Sequence, residues 1–151
     1  MGPQSEPFTI GLIQDHATAD AVENIALAER HVRDAAKLGA QIICLKELFH
    51  AEYFCKSQQF DRFDLAQDVP GPAVDAMQRL AHELAVVIIA PVFERQAPGL
   101  YRNSAAVIDA DGSLLGLYRK MPVFTLAGKI MTVDGQIVAS ERFEELNGSA
   151  V

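Results

Sequence analysis

The sequence has 151 residues, of which half are hydrophobic and 22% are charged. This length suits one domain with a real core and is too short for two ordinary domains. Thirteen Lys and Arg against twenty Asp and Glu give a net charge of −7, and without a basic block a nucleic-acid partner is not expected. The longest nearly pure apolar stretch, residues 84–93, is too short to span a membrane. Because the N-terminus also lacks a signal-peptide pattern, we expect a cytoplasmic protein without membrane contact.

The first part of the chain alternates apolar runs with an amphipathic segment. Residues 8–14 and 41–45 are short apolar runs that predict two buried strands. Asp20 and Glu23 form the Asp-x-x-Glu pattern of a helix N-terminus, and Gly39 stands where that helix would end. The predicted helix carries apolar residues at helical spacing, namely Val22, Ile25, Ala28, Val32, Ala35 and Ala36.

The middle of the chain continues the alternation. The Pro-Gly-Pro sequence at residues 70–72 interrupts the chain, and an amphipathic helix follows with apolar residues Val74, Met77, Leu80, Ala81 and Leu84. Residues 86–93 predict a third strand, and residues 103–108 and 113–118 flank a turn that ends in Asp-Gly. The order is β-α-β-α-β followed by a β-hairpin, which indicates an α/β fold or a layered α+β sandwich.

The end of the chain departs from this pattern. We expect residues 1–121 to form one part of a domain and residues 122–151 to form a divergent tail. Residues 129–133 and 136–139 flank an Asp-Gly pair and predict a small hairpin. Residues 141–151 are polar and predict a frayed end.

Two charged residues stand at predicted strand ends. Glu47 follows the second strand among apolar neighbours, and burial there would raise its pKa and make it a usable general base. Lys120 ends the hairpin and could stabilise a developing oxyanion. An exposed loop glutamate and an ordinary solvated lysine remain open as alternatives.

The cysteines and histidines predict neither a metal site nor a disulfide framework. Cys44 lies within an apolar strand, as buried structural thiols do, and Cys55 lies in a predicted loop beside Lys56. The four histidines lack the spacing of metal ligands. The chain also has neither a Walker loop nor a Gly-x-Gly-x-x-Gly loop of the kind that binds nucleotides.

Six segments in order nevertheless resemble the nitrilase, or carbon-nitrogen hydrolase, superfamily. They are GLIQ at 11–14, the segment from GAQII to ELF at 39–49, PVFE at 91–94, YRNSA at 101–105, IDADG at 108–112 and YRKM at 118–121. The segment ELFHAEYFC at 47–55 is most similar to the branch of N-carbamoylputrescine amidases and β-ureidopropionases.

The resemblance implies half of a four-layer α-β-β-α sandwich and a hydrolase of non-peptide carbon-nitrogen bonds. Its substrate would be a small amide or carbamoyl amine, cleaved through a thioester by a Glu-Lys-Cys triad without metal or cofactor. By resemblance, Glu47 matches the general base and Lys120 the oxyanion-stabilising lysine. Glu94 and Asn103 match motif positions, and we expect them to shape the site.

The nucleophilic cysteine of the family has no counterpart at its expected position. That residue lies beyond the lysine, whereas residues 121–151 contain no cysteine. The resemblance therefore predicts a chain that is inactive alone, with one apolar sheet face uncovered and a tendency to form homo-oligomers. A truncated non-catalytic remnant or interaction module is the alternative. A Rossmann-like nucleotide binder fits the strand-helix order, but not the Gln14-Asp15-His16 sequence after the first strand.

Overall fold

A computed structural model describes residues 7–53 and 60–120 and, further along the chain, strands within 124–139. The chain divides into two compact units, Met1–Arg119 and Lys120–Val151. The first unit contains the helices α1 (Ala21–Lys37) and α2 (Pro72–Leu84) and a 3-10 helix at Phe60–Leu65. Its strands are β1 (Ile10–Leu12), β2 (Ile42–Cys44), β3 (Val87–Ala97), β4 (Leu100–Ile108) and β5 (Leu114–Arg119).

The five strands form one mixed sheet in the order β1-β2-β3-β4-β5. β1, β2 and β3 are parallel, because a helix returns the chain between each pair. β3, β4 and β5 are antiparallel and joined by short turns. The predicted β-α-β-α-β order and α/β class are thus confirmed. The sequence predicted neither the hairpin formed by β3 and β4 nor the 3-10 helix.

Helices α1 and α2 cover one face of this sheet and form the main core with it. Alternate residues of the strands, such as Ile43, Ile88 and Ile108, are fully buried in a cluster with Val32 of α1 and Met77 of α2. Because alternate side chains of a strand point to opposite faces, burial of this set defines the helix side of the sheet. Each such fully buried aliphatic side chain stabilises the fold by about 1.5–3 kcal/mol.

The opposite face of the sheet, which we call the helix-free face, follows from the same alternation and the strand register. A Cβ on Gly11 would lie 3.3 Å from the Cβ of Ala35 on α1, so the flanking residues of β1 point away from the helices. The register places the following residues on the helix-free face: Ile10, Leu12, Ile42, Cys44, Val87, Ile89, Pro91, Phe93, Arg95, Tyr101, Asn103, Ala105, Val107, Gly116 and Tyr118. Neither α1 nor α2 covers this face, but the 3-10 helix packs at one end of it, where the Phe63 ring contacts Phe93 and Tyr101.

The first strand differs from its sequence-based prediction. The strand spans only Ile10–Leu12, and the exposed fractions of Phe8, Ile10 and Leu12 are 62%, 55% and 79%. The prediction of a buried strand over residues 8–14 was therefore wrong. An apolar run reports burial on two faces only where both faces are covered, and β1 lies at the edge of a sheet with helices on one face.

Helix α1 begins and ends as the sequence predicts. The Asp20 carboxylate accepts hydrogen bonds from the backbone N–H groups of Val22 and Glu23, which have no partner within the helix. Glu23 completes the N-terminal turn differently from the expected pattern, because its carboxylate accepts from the Thr18 hydroxyl. Gly39, at φ +91°, directly follows the C-terminal residue Leu38.

The second unit contains a separate three-stranded antiparallel sheet. Its strands are β6 (Phe124–Leu126), β7 (Lys129–Met131) and β8 (Ile137–Ala139), in that order. β7 and β8 pair within the segment 129–139, where the sequence predicts a small hairpin, whereas β6 was not predicted. The expected frayed end at 141–151 lies outside the described residues. Among the described helices, none is long and apolar enough to cross a membrane.

The β4–β5 turn touches α2 through Gly112. The Gln78 side-chain amide donates to the Gly112 carbonyl at 2.9 Å, and a Cβ on Gly112 would lie 2.7 Å from the Gln78 carbonyl oxygen. Gly112 also has a φ of +84°, a conformation that side chains other than glycine rarely adopt.

We expect Gly112→Ala to lower the free energy of unfolding by about 3 kcal/mol, because backbone strain and a clash with α2 add together. Gly99→Ala is the matched control, since Gly99 has a similar φ of +77° but no atom within 4 Å of its added Cβ. That variant should lose only about 1 kcal/mol. Urea unfolding of both variants measures the difference, and equal losses would contradict the close contact with α2.

Candidate active site

Glu47 lies in the segment that leaves the carboxyl end of β2. The backbone of this segment stays against β3, because the N–H groups of Leu45 and Phe49 donate to the carbonyls of Ile89 and Pro91 at 3.0 and 3.3 Å. Leu48 has a φ of +53°, which turns the chain there. These contacts hold the backbone on both sides of Glu47.

The surroundings of Glu47 differ from the sequence-based expectation. Leu48, Phe49 and His50 are buried, but Glu47 itself is exposed. The expectation that burial would surround the carboxylate is therefore wrong: the left-handed turn at Leu48 accompanies a change from an exposed residue to a buried run. The apolar neighbours anchor the segment, and the carboxylate faces solvent.

Asn103 contacts Glu47 directly. Its side-chain amide donates to Glu47 Oε1 at 2.6 Å, across 56 positions of sequence. Asn103 pairs with Phe93 in the β3–β4 register, on the same side of the sheet as Pro91 and Ala105. The structure therefore brings together two residues that the sequence singled out separately, at the end of the helix-free face.

Glu94 lies on the helix side of the sheet and ties three strands together. Its carboxylate is buried and accepts two hydrogen bonds from the Arg119 guanidinium, at 2.8 and 2.6 Å. The Ser104 hydroxyl donates to the same carboxylate at 2.6 Å. The Arg119 hydrogen bonds lower the pKa of Glu94 and outweigh the opposite effect of burial. Glu94 on β3 therefore forms an ion pair with Arg119, the last residue of β5. Its position in the motif did not reveal this role.

Lys120 directly follows Arg119 and is exposed. It is the first residue of the second unit. Its role as the oxyanion-stabilising lysine stays a prediction.

An open cleft of about 730 Å³ lies beside Glu47. Its lining residues come from the segments after β1 and β2 and from the 3-10 helix, namely Gln14, Asp15, His16, Ala17, Lys46, Glu47, Ala51, Glu52, Tyr53 and Arg62. This lining carries several charged groups, so the cleft suits a polar ligand.

Within the cleft wall, Asp15 joins two cationic or ionisable side chains. Its carboxylate forms an ion pair with the Lys46 ammonium and lies 2.9 Å from His31 Nδ1 of α1. Asp15 and Lys46 are both largely buried. Sequence reasoning missed this pair, although polar residues directly after two neighbouring parallel strands were a usable signal.

His50 is the least solvated polar group near Glu47. Its side chain is fully buried, and among the described residues neither ring nitrogen forms a hydrogen bond of regular geometry. Burial lowers its pKa, because the charged imidazolium is disfavoured without water. Its backbone carbonyl accepts from the buried Asn24 amide at 3.2 Å, which links the Glu47 segment to α1.

The cysteines and the residues that could bind a metal add no further group to the site. Cys44 is a free, half-buried cysteine on β2 whose Sγ lies 3.6 Å from the adjacent Leu45 carbonyl. Cys55 lies outside the described residues. Among the described side chains, no group of three or more His, Cys, Asp or Glu residues is placed to hold a metal ion.

Comparison with known sequences decides the family. A profile described as carbon-nitrogen hydrolase matches residues 9–145, most of the chain. The chain belongs to the carbon-nitrogen hydrolase family. The matched region begins at β1 and continues beyond residue 121 into the tail.

Individual proteins with similar sequences support the same family. N-carbamoylputrescine amidase of Solanum lycopersicum is 46% identical over 121 residues, which are 80% of this chain and 40% of that relative. The citrullinase of Francisella tularensis is 42% identical over 112 residues, or 74% of this chain and 39% of its own length. The chain therefore spans about 40% of the length of these relatives.

Solved structures confirm the fold. The carbon-nitrogen hydrolase of Helicobacter pylori G27 superposes with a TM-score of 0.72 at 33% sequence identity. The match covers 78% of this chain and 40% of that structure. The α/β layers predicted from the resemblance are thus those of a nitrilase-like fold.

The Glu94–Arg119 contact gives a testable prediction for this hydrolase-family chain. Arg119→Met removes the main partner of a buried carboxylate, and we expect a loss of about 2 kcal/mol in unfolding free energy, less than for a fully buried pair since Arg119 is partly exposed. Arg33→Met is the control, because its partner Glu83 is exposed, and it should cost under about 0.5 kcal/mol.

The lowered pKa of Glu94 also predicts how the effect of Arg119→Met on stability depends on pH. A carboxyl with a lowered folded-state pKa stabilises the fold above its ordinary pKa, and that contribution is lost as the pH falls through the folded-state value. The difference between wild type and Arg119→Met should therefore shrink in acid. A difference that persists unchanged below the ordinary carboxyl pKa would contradict the ion pair.

Proposed function

We propose that this chain carries the general base and the oxyanion-stabilising cation of a hydrolase that cleaves N-carbamoyl amines through a thioester. The observation that carries the proposal is the Glu47 carboxylate, held by Asn103 at 2.6 Å beside a polar cleft. Membership of the carbon-nitrogen hydrolase family supports the reaction class.

In the proposed reaction, Glu47 accepts the proton of a cysteine thiol, and the thiolate attacks the carbonyl carbon of the substrate. The oxygen becomes negatively charged as the tetrahedral intermediate forms. Collapse of the intermediate expels the amine, which takes its proton from Glu47, and leaves a thioester. Water then attacks the carbamoyl thioester with Glu47 again acting as base, which releases carbamic acid and restores the thiol. Carbamic acid decomposes to carbon dioxide and ammonia.

Lys120 is proposed to stabilise the oxyanion in both steps. A fixed ammonium lowers such a barrier more than a mobile one, because the site need not reorganise as charge develops. The preceding residue, Arg119, is held by two hydrogen bonds to buried Glu94. Because Arg119 is held in this way, we expect the backbone that leads into Lys120 to have a defined position.

The Asn103 contact supports the role assigned to Glu47. A general base must be oriented toward the proton that it accepts, and a hydrogen bond to one carboxylate oxygen restricts rotation of the side chain. Because Asn103 lies within a paired strand, its own position is determined by the sheet register. Asn103 is therefore proposed as a positioning residue.

The substrate class rests on the relatives and on the cleft. Several similar proteins are N-carbamoylputrescine amidases, and another is a citrullinase. Beside the Asp15–Lys46 ion pair, the lining of the cleft carries the Glu52 carboxylate, an acceptor, and the Arg62 guanidinium, a donor. A ureido group has both N–H donors and a carbonyl acceptor, so it matches this mixed lining.

The proposal assigns the nucleophile to neither cysteine of the chain. Cys44 and Cys55 are the two cysteines present, and neither occupies the family position of the nucleophile beyond Lys120. Without a thiol at that position no covalent intermediate forms. The chain alone is therefore expected to bind an N-carbamoyl amine without turning it over.

The test uses N-carbamoylputrescine as the probe with the purified chain. We expect no release of ammonium above the buffer rate, and measurable binding in isothermal titration calorimetry. Glu47→Gln should raise the dissociation constant about tenfold, because a hydrogen bond to a charged group is replaced by a neutral one. Glu29→Gln on α1, outside the cleft lining, should leave the dissociation constant within about twofold.

Two results would count against the proposal. Binding that Glu47→Gln leaves unchanged would remove Glu47 from the substrate site. Ammonium release that survives Glu47→Gln would show that the chain uses other groups for the chemistry.

A further inference from the structure

An ion pair with both partners largely buried lies in the cleft wall, and one of its partners directly precedes Glu47 in the chain. The Lys46 ammonium contacts Asp15 Oδ1, and only 13% of each side chain is exposed. In the ion pair between Arg33 and Glu83, by contrast, 40% and 55% of the side chains are exposed. The Asp15–Lys46 pair is therefore largely removed from water, although it borders an open cleft.

The ends of two parallel strands bring Asp15 and Lys46 together. The backbone N–H of Ile13 donates to the Cys44 carbonyl at 2.9 Å, and Asp15 and Lys46 each lie two residues further along the chain. Asp15 Oδ2 lies 2.9 Å from His31 Nδ1 on α1. Because Lys46 and His31 use different oxygens, His31 orients the Asp15 carboxylate without displacing Lys46.

The stability of the fold gives only a weak reason for a buried ion pair at this place. Removing two charges from water costs free energy that their attraction often only offsets, so apolar side chains of similar volume can stabilise a fold equally well. Asp15, Lys46 and Glu47 all line the same cleft. The pair can therefore act on the Glu47 carboxylate.

A cation beside Glu47 would weaken it as a base. An ammonium within a few ångströms of a carboxylate favours its ionised form and lowers its pKa. Lys46 carries such an ammonium on a flexible side chain, and it is adjacent to Glu47 both in the chain and in the cleft lining. An ammonium released from Asp15 could thus pair with the Glu47 carboxylate.

We propose that Asp15 is a positioning residue for Glu47: its carboxylate binds the Lys46 ammonium and so keeps this cation from pairing with the Glu47 carboxylate. The inference rests on the proposed role of Glu47 as the general base, because a base must keep its affinity for a proton. Asp15 acts through Lys46 and takes no part in the bond-making steps.

Other polar groups also face Glu47. The Asn103 amide, which is neutral, donates to Glu47 Oε1. The remaining charged or ionisable side chains of the cleft lining are His16, Glu52, Tyr53 and Arg62. Replacement of Asp15 or Lys46 changes none of these groups, so a change in the pKa of Glu47 would report the Asp15–Lys46 pair.

The pKa of Glu47 in the full chain tests the proposal, and the pH dependence of its carboxyl carbon signal in nuclear magnetic resonance measures it. Asp15→Asn releases Lys46 and should lower this pKa, with about a tenfold rise in the acid dissociation constant. Combining Asp15→Asn with Lys46→Met removes both charges and should return the constant to within about twofold of wild type. A merely structural role would leave the single and double variants alike, because both lack the contact.

Asp34→Asn is the matched control. It releases Lys37 in the same way, but this pair lies on α1, outside the cleft lining, with 66% and 74% of the two side chains exposed. The acid dissociation constant of Glu47 should stay within about twofold of wild type in this variant.

A folded Asp15→Asn variant with an unchanged pKa of Glu47 would overturn the proposal, as would a double variant whose pKa stays as low as that of Asp15→Asn. If circular dichroism shows that Asp15→Asn does not fold, the double variant decides, since it carries neither charge of the pair. An acid dissociation constant in the double variant about tenfold below that of wild type would show that Lys46 already acts on Glu47. The titration needs no substrate, so its outcome is separate from the effect of Glu47→Gln on the binding of N-carbamoylputrescine.

Discussion

The antiparallel pairing of β3 with β4 runs without a shift from Ile88–Ile108 to Arg95–Tyr101 and decides which side chains share a face. In this register Phe93 pairs with Asn103 and Val92 with Ser104, so Asn103 and Ser104 point to opposite sides of the sheet. A slip of one residue would exchange the two faces. Asn103 would then leave Glu47, and Ser104 would leave the Glu94 carboxylate.

Two polar contacts depend on this register, one on each face. On the helix side, buried Glu94 binds Ser104 and Arg119 and thereby joins β3, β4 and β5. On the helix-free side, Asn103 binds Glu47 at the end of the β2 segment. The buried ion pair secures the end of the strand before Lys120, and the exposed pair holds the proposed base. One alignment of strands thus serves both the stability of the sheet and the geometry of the site.

The sequence predicts the helices and the strand order because both depend on local patterns. The side chain of Asp20 and the position of Gly39 mark the ends of α1, and apolar spacing marks its buried side. The burial of β1 could not be predicted in this way, because exposure at an edge strand depends on which layers surround the sheet. An apolar run reads the same whether one or both faces are covered.

The candidate site could be predicted from the sequence only in part, for the same reason. Glu47, Lys120, Glu94 and Asn103 stand out in the sequence through family motifs, but their contacts join positions far apart in the chain. No spacing in the sequence reveals that Asn103 contacts Glu47, or that Glu94 binds Arg119 instead of facing the cleft. The Asp15–Lys46 pair was missed for a related reason, since it is formed by the ends of two parallel strands that meet only in the sheet.

Nuclear magnetic resonance of the Asn103 side-chain amide tests whether the strand register places this amide on the Glu47 carboxylate. A hydrogen bond to a carboxylate should move one amide proton downfield and slow its exchange with water. Glu47→Ala should remove this shift, whereas Glu52→Ala, in the same cleft, should leave it in place. An Asn103 amide signal that Glu47→Ala does not change would show that the two side chains are not hydrogen-bonded.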